Sequence, residues 1–105
     1  MMKNTHEYNE SVLHQEKVSL IKIAEMAGTP SFVYSKAKLL GQYRALKDAL
    51  DGLNFKINYS VKANSNLSIL SLLKDEGSGF DIVSAGELGR VLAIGGDPAS
   101  VVFCG

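Results

Sequence analysis

Residues 55–62 read FKINYSVK, and the alternation in this stretch decides the fold class. Its apolar side chains fall at every second position and define one face of a strand, while Lys56, Asn58 and Ser60 define the other. Strands of a parallel sheet are usually apolar on both faces, because helices cover both. A polar face suits the interior of a (β/α)8 barrel near its active mouth. We therefore predict a barrel strand in an α/β fold, with Lys62 at its carboxyl end.

Downstream of this strand, short strands alternate with helices of about 10 residues. A leucine-rich helix follows, and residues 80–83 form the second strand. Ser84 and Glu87 then have the spacing of a capping box, which opens the next helix. Residues 101–103 form the third strand. This order predicts parallel strands joined by right-handed crossovers.

Upstream, the signals for strands are weaker. Residues 1–11 are polar, and we expect them to be poorly ordered. Val12 and Leu13 begin a short strand, and residues 31–34, SFVY, are typical of another.

Two helices in the first half of the chain each have a serine at the N-cap position. Ser19 precedes a helix that keeps its apolar residues on one face and ends before Gly28. Ser35 precedes a longer helix, whose apolar residues recur at helical spacing as far as Leu50.

Two charged residues are candidates for chemistry. Lys62 is the first, because the catalytic groups of barrel enzymes lie at the carboxyl ends of the strands, and a deprotonated lysine amine can form a Schiff base with an aldehyde cofactor. On position alone, a solvated lysine at a strand end is the simpler interpretation. Asp81 is the second, because its carboxylate can share the barrel interior with Lys62 and hold or tune that residue. Its simpler interpretation is a structural aspartate.

Four separated motifs resemble one known family, in the same order. Residues 59–64, YSVKAN, resemble the Y-A-V-K-A-N signature shared by alanine racemases and by ornithine, arginine and diaminopimelate decarboxylases. Residues 77–88, GSGFDIVSAGEL, resemble the G-x-G-x-D-x-V-S-x-G-E-L segment of that group. Residues 28–34 and 101–105 are similar to the opening segment and the third barrel strand of diaminopimelate decarboxylases. Alanine racemases usually have tyrosine four residues after the lysine, and Asn66 at that position favours the decarboxylase branch.

The resemblance implies a function and a cofactor. It implies that Lys62 carries pyridoxal 5'-phosphate, and from its place beside Lys62 we expect Asp81 to help to bind this cofactor. The implied reaction is the decarboxylation of meso-diaminopimelate to lysine, the last step of lysine biosynthesis, by a homodimer that binds this small amino-acid substrate. Two alternatives stay open: a decarboxylase of the ornithine or arginine type, and a non-catalytic protein that binds pyridoxal phosphate.

The resemblance also implies a division into domains. Residues 1–34 are expected to be a short strand–helix segment that contributes to a second β domain, and residues 35–105 the first part of a pyridoxal-phosphate-binding (β/α)8 (TIM) barrel. Three strands cannot close a barrel, which takes about 250 residues. We therefore interpret the chain as a truncated N-terminal fragment. We expect it to be inactive alone, because the phosphate loop and most substrate-binding groups of the family lie beyond residue 105.

Composition argues against several other classes. Eleven basic side chains balance 11 acidic ones, so charge gives no reason to expect binding to nucleic acid or to a membrane surface. No apolar run reaches the roughly 20 residues of a membrane span, and the N-terminus has no apolar signal core, so we expect a cytoplasmic protein. Cys104 is the one cysteine, and its apolar surroundings predict a small core residue. His6 and His14 have no clustered ligands, and we expect no metal site.

Overall fold

A computed structural model describes residues 5–105, which form two compact units divided between Ala45 and Leu46. The first unit contains a small antiparallel sheet and a helix, and the second contains a parallel sheet and two helices. The division falls inside a helix that contributes residues to both units. The assignment of residues 1–34 to a β domain and of residues 35–105 to a barrel stays a prediction. None of the helices in the described range has the length and apolar character needed to cross a membrane.

The sheet of the first unit consists of β1 (His6–Asn9), β2 (Val12–Gln15) and β3 (Val18–Ser19), which pair in that order. Glu10 and Ser11 join the first two strands with φ angles of 48° and 67°, the left-handed conformation of a two-residue hairpin turn. The prediction of poor order in residues 1–11 is therefore wrong for residues 6–9, while residues 1–4 lie outside the described residues. All of β1 is exposed, so pairing with β2 holds it in place without a buried face.

Two helices begin at the predicted serines. The side chain of Ser19 caps α1 (Leu20–Ala27), and Gly28 ends that helix with a φ of 80°. The hydroxyl of Ser35 accepts a hydrogen bond of 3.0 Å from the amide of Lys38 at the start of α2 (Lys36–Ala49). Both predicted helices are confirmed.

Residues 31–34 do not form the predicted strand. Phe32 and Tyr34 are exposed, and their rings stack on each other at a centroid distance of 6.4 Å. The prediction relied on apolar side chains alone. A strand also needs a backbone partner, and none of the described strands pairs with this segment.

The sheet of the second unit is parallel, and it consists of β4 (Asn58–Ser60), β5 (Gly79–Ile82) and β6 (Val101–Phe103), in that order. The connections contain α3 (Leu67–Asp75) and α4 (Ala85–Ala93). The parallel order and the mixed α/β class are as predicted, whereas closure into a barrel stays a prediction. The first strand is shorter than the predicted residues 55–61. It begins at Asn58 and ends at Ser60, and Val61 belongs to a 3₁₀ turn.

The core of the second unit lies between this sheet and its helices. Five apolar residues from both strands and helices are buried together: Val61, Leu70, Phe80, Ile82 and Val91. Removing one such side chain from water contributes about 1.5–3 kcal/mol to folding. Because Val61 is fully buried, it anchors the chain directly before Lys62.

Candidate functional site

Lys62 lies in a 3₁₀ turn, Val61–Ala63, directly after β4. Its side chain is exposed at the carboxyl end of the parallel sheet, as the sequence predicts, and it forms no salt bridge with any residue in the range 5–105. The side chain of Val61, the first residue of this turn, is buried in the core and thereby holds the turn in place. The arrangement therefore presents a lysine amine on a short rigid segment at the edge where barrel enzymes place catalytic groups.

Hydrogen bonds from other elements hold the segment after Lys62. The hydroxyl of Tyr59 donates to the carbonyl of Asn64 over 3.0 Å. The guanidinium of Arg90, on α4, donates to the carbonyl of Ser65 over 3.1 Å. The side chain of Asn66 caps α3. The segment is therefore connected to β4, α4 and α3 before any ligand binds.

Asp81 lies beside this turn, on the neighbouring strand. It is in register with Ser60, whose hydroxyl donates a hydrogen bond of 3.1 Å to Asp81 Oδ2. The other oxygen, Oδ1, is shielded from solvent, and no N–H or O–H group among residues 5–105 donates to it. The carboxylate thus has one oxygen held by the protein and one without such a donor.

Cys104 lies at the surface of this site and not in the core. It follows β6 and is exposed, so the prediction of a core cysteine is wrong. Hydrogen bonding to Asp81, and in addition partial desolvation and the negative charge of that carboxylate, raise the pKa of the Cys104 thiol, while the charge of Lys62 acts in the opposite direction. Lys62 and Asp81 therefore both act on one thiol at the carboxyl edge of the sheet.

Ser60 and Cys104 join the candidate site only through the register of the sheet. Ser60 pairs with Asp81, and Asp81 pairs in turn with Val102, two residues before Cys104. The signal that could have found them is the parallel order itself. Residues at the carboxyl ends of neighbouring parallel strands lie along one edge.

The remaining polar residues singled out by the sequence have other roles. Ser84 accepts a hydrogen bond of 3.1 Å from the amide of Glu87, and Glu87 accepts one of 2.7 Å from the amide of Val83, so both act as caps of α4, as predicted. Within the described residues, no group of three or more histidine, cysteine, aspartate or glutamate side chains is arranged to hold a metal ion.

The family model for the pyridoxal-binding domain of pyridoxal-dependent decarboxylases matches residues 36–105. The match covers two thirds of the chain and includes every residue of the candidate site. The chain therefore belongs to this family. The resemblance inferred from the four motifs is confirmed.

The curated proteins that the chain resembles include diaminopimelate decarboxylases. The chain is 55% identical over 102 residues to the diaminopimelate decarboxylase of Pseudomonas aeruginosa. This match covers 97% of this chain and 25% of that protein. It is 52% identical over 93 residues to the enzyme of the same name from Vibrio cholerae, covering 89% of this chain and 22% of that protein. The chain thus spans about a quarter of the length of the curated relatives it matches.

Solved structures show the same similarity. The crystal structure of AQ1208 from Aquifex aeolicus matches with a TM-score of 0.89 and 38% identity, over 96% of this chain and 25% of that one. The diaminopimelate decarboxylase of M. jannaschii matches with a TM-score of 0.83 and 33% identity, over 96% of this chain and 25% of that one. The mixed α/β fold of this chain is therefore that of the corresponding part of these proteins.

Proposed function

We propose that the chain is the N-terminal quarter of a diaminopimelate decarboxylase, which converts meso-diaminopimelate to lysine with pyridoxal 5'-phosphate. The observation that supports this most is the 55% identity, over 102 residues, to an enzyme of that name. The proposal includes a (β/α)8 barrel, with β4, β5 and β6 as its first three strands. It also includes a homodimer, as the family resemblance implies, and a cytoplasmic location.

The residues present fit the proposed cofactor. An exposed lysine amine stands at the carboxyl edge of the sheet without a salt bridge to a described residue. Beside it, a carboxylate oxygen out of contact with solvent lacks an N–H or O–H donor. Lys62 would hold the cofactor through Nζ, and Asp81 would interact with the lysine or the cofactor. These two assignments are proposals.

The chemistry requires the loss of a carboxyl group from an amino acid. One carbon–carbon bond breaks, carbon dioxide leaves, and a proton takes its place on the α-carbon. Bound pyridoxal phosphate supplies the electron sink that accepts the bonding electrons. The residues of this chain supply position: the buried Val61 and the hydrogen bond of Tyr59 keep the Lys62 turn rigid. Such preorganisation removes the entropy cost of bringing reacting groups together.

The thiol of Cys104 is the other nucleophile at this edge of the sheet. The neighbouring carboxylate raises the pKa of that thiol, which disfavours the reactive thiolate. A Schiff base requires an amine, and of the two side chains only Lys62 supplies one. We therefore assign the covalent bond to Lys62 and not to Cys104.

The substrate is tested with the complete enzyme that carries this chain. Carbon dioxide release is measured with meso-diaminopimelate, ornithine and arginine, each with added pyridoxal phosphate. We expect turnover with meso-diaminopimelate at a rate on the order of 10 per second, typical of enzymes, and far slower release with the other two. Faster release from ornithine or arginine would assign the chain to the other decarboxylase type. Cofactor binding without release from any of them would indicate a non-catalytic protein.

The 105-residue chain alone is the natural comparison. We expect it to release carbon dioxide no faster than free pyridoxal phosphate, because the family's phosphate loop and substrate-binding groups would be missing. Positioning of this kind accounts for several kcal/mol of a typical barrier. Turnover by the 105 residues alone would show that the catalytic groups all lie within them.

A further inference from the structure

Residues 62–68, which begin with Lys62 and lead from β4 into α3, have no buried side chain. The hydrophobic core holds the chain on either side of this segment, at Val61 before it and at Ile69 and Leu70 after it. Between those anchors, apolar packing does not fix the path of the backbone. The position of the segment that carries Lys62 therefore depends on hydrogen bonds.

Arg90 supplies one of these hydrogen bonds from a later part of the chain. Its guanidinium Nη1 donates to the carbonyl of Ser65 over 3.1 Å, and the two residues are 25 positions apart. Tyr59 and Asn66 also hold the segment, but the first lies on the strand that leads into it and the second lies within it. Arg90 lies on α4, where the adjacent Val91 is fully buried in the core. The guanidinium thus ties the segment to a helix that is itself firmly packed.

We propose that Arg90 is a positioning residue of the Lys62 site: its hydrogen bond to Ser65 fixes the segment that carries the lysine. This inference rests on the function proposed above. A hydrogen bond from a charged donor is stronger than one between neutral groups. A displacement of about 1 Å, even one that arises away from the reacting atoms, can slow a reaction about a hundredfold. One bond that restrains the backbone near Lys62 therefore affects how readily the amine reaches an aldehyde.

A merely structural role for Arg90 makes a different prediction. If the guanidinium only helped to hold α3 and α4 together, any bond of similar strength between these helices would be equivalent to it. Lys74 forms such a bond: its Nζ, on α3, donates to the carbonyl of Ile94, which caps α4, over 2.9 Å. That bond is part-buried, whereas the bond of Arg90 is exposed. A purely structural effect should therefore be at least as large for Lys74 as for Arg90.

The experiment uses the complete enzyme and the variants Arg90→Met, Arg90→Lys and Lys74→Met. Methionine removes the donor and keeps an unbranched side chain with good helix propensity. Pyridoxal phosphate is added to each apoenzyme, the reaction is stopped with borohydride at set times, and the cofactor on the Lys62 peptide is measured by mass spectrometry. We expect Arg90→Met to slow covalent attachment about three- to tenfold, the effect of one hydrogen bond.

The other two variants decide what that loss means. Arg90→Lys keeps a cationic donor, and it should attach the cofactor at nearly the wild-type rate, because one nitrogen makes the bond to Ser65. Lys74→Met should also attach it at nearly the wild-type rate, although urea unfolding should show a loss of stability. Equal slowing in Arg90→Met and Lys74→Met, slowing in Arg90→Lys as large as in Arg90→Met, or no slowing in Arg90→Met would overturn the inference.

Hydrogen exchange in the same apoenzymes gives a readout that does not depend on the cofactor. The amide of Asn66 donates to Asn64 Oδ1 over 3.0 Å and reports on the segment, whereas the amide of Gly95 reports on the region that Lys74 holds. Arg90→Met should speed exchange at Asn66 and leave Gly95 unchanged, and Lys74→Met should do the reverse. Unchanged exchange at Asn66 in Arg90→Met would overturn the inference. The proposed function fails separately, if the wild-type enzyme does not bind pyridoxal phosphate.

Discussion

The Asp81 carboxylate on β5 lies within hydrogen-bonding reach of the Cys104 thiol just beyond β6, and it raises the pKa of that thiol. The neighbouring backbones are connected at the same place, because the amide of Cys104 donates to the carbonyl of Ile82 over 3.0 Å. The thiol is exposed, so its state can be measured with a chemical probe. Cys104 therefore reports on the charges of the candidate site.

The first prediction uses this reporter. Asp81→Asn removes the negative charge and should lower the pKa of the Cys104 thiol, so that alkylation by iodoacetamide begins at a lower pH. Lys62→Ala should have the opposite effect, because the charge of Lys62 lowers that pKa. Asp75→Asn, a change of equal charge at the exposed end of α3, serves as the control. An alkylation profile that moves equally in Asp81→Asn and Asp75→Asn would contradict the proximity of Asp81 and Cys104.

The second prediction concerns the first unit and the start of α2. Glu16 Oε1 accepts hydrogen bonds from the hydroxyl of Ser35, over 2.6 Å, and from the amide of Ala37, over 2.9 Å. The hydrogen bond from Ser35, and then that from Ala37, lower the pKa of Glu16 below its usual 4.5. The hydrogen bonds to the Glu16 carboxylate therefore stabilise the folded protein. Because the pKa of Glu16 is lower in the folded state than in the unfolded state, this stabilisation is complete above about pH 4.5 and is lost as the pH falls through the folded-state pKa.

Glu16→Ala should therefore increase hydrogen exchange at the amide of Ala37 at neutral pH. The difference from the wild type should shrink as the pH falls below about 4, because the wild-type carboxylate is then protonated as well. Glu25→Gln, a change on α1, should leave this amide unaffected. Equal protection of Ala37 in the wild type and in Glu16→Ala would show that Glu16 does not cap α2.

The third prediction compares two glycines of the second unit. A Cβ on Gly79 would collide with the side chain of Asn58 and lie 2.7 Å from the carbonyl oxygen of Ser100. Gly79→Ala should therefore destabilise the protein by about 1–3 kcal/mol, the usual cost of overpacking. Gly89, inside α4, has open space around it, and Gly89→Ala should stabilise by up to about 1 kcal/mol through helix propensity. Urea unfolding measures both changes, and a Gly79→Ala variant as stable as Gly89→Ala would refute the close approach.

The features that the sequence predicted are mainly local ones. Ser84 and Glu87 form the predicted caps because both partners lie within four residues of each other. The parallel order also followed from sequence, because alternating short strands and helices have few topological solutions. Lys62 was placed correctly at a strand end, because its position depends only on the strand that precedes it.

The features that were missed depend on partners distant in sequence or on a weak pattern. β1 has no apolar alternation, so only its pairing with β2 reveals it. Residues 31–34 have the composition of a strand and no partner among the described strands. The hydrogen bond between Ser60 and Asp81 joins residues 21 positions apart, and only the register of the sheet brings them together.

The central claim, that Lys62 holds the cofactor, is tested most directly by covalent trapping. The complete enzyme is loaded with pyridoxal phosphate, reduced with borohydride, digested and analysed by mass spectrometry. We expect the pyridoxyl mass on the peptide that contains Lys62. The label and turnover should be absent in Lys62→Ala and also in Lys62→Arg, because a guanidinium stays protonated and cannot react with the aldehyde. Lys56→Ala, which removes an exposed lysine from the same strand region, should keep both. A labelled and active Lys62→Ala enzyme would contradict the account.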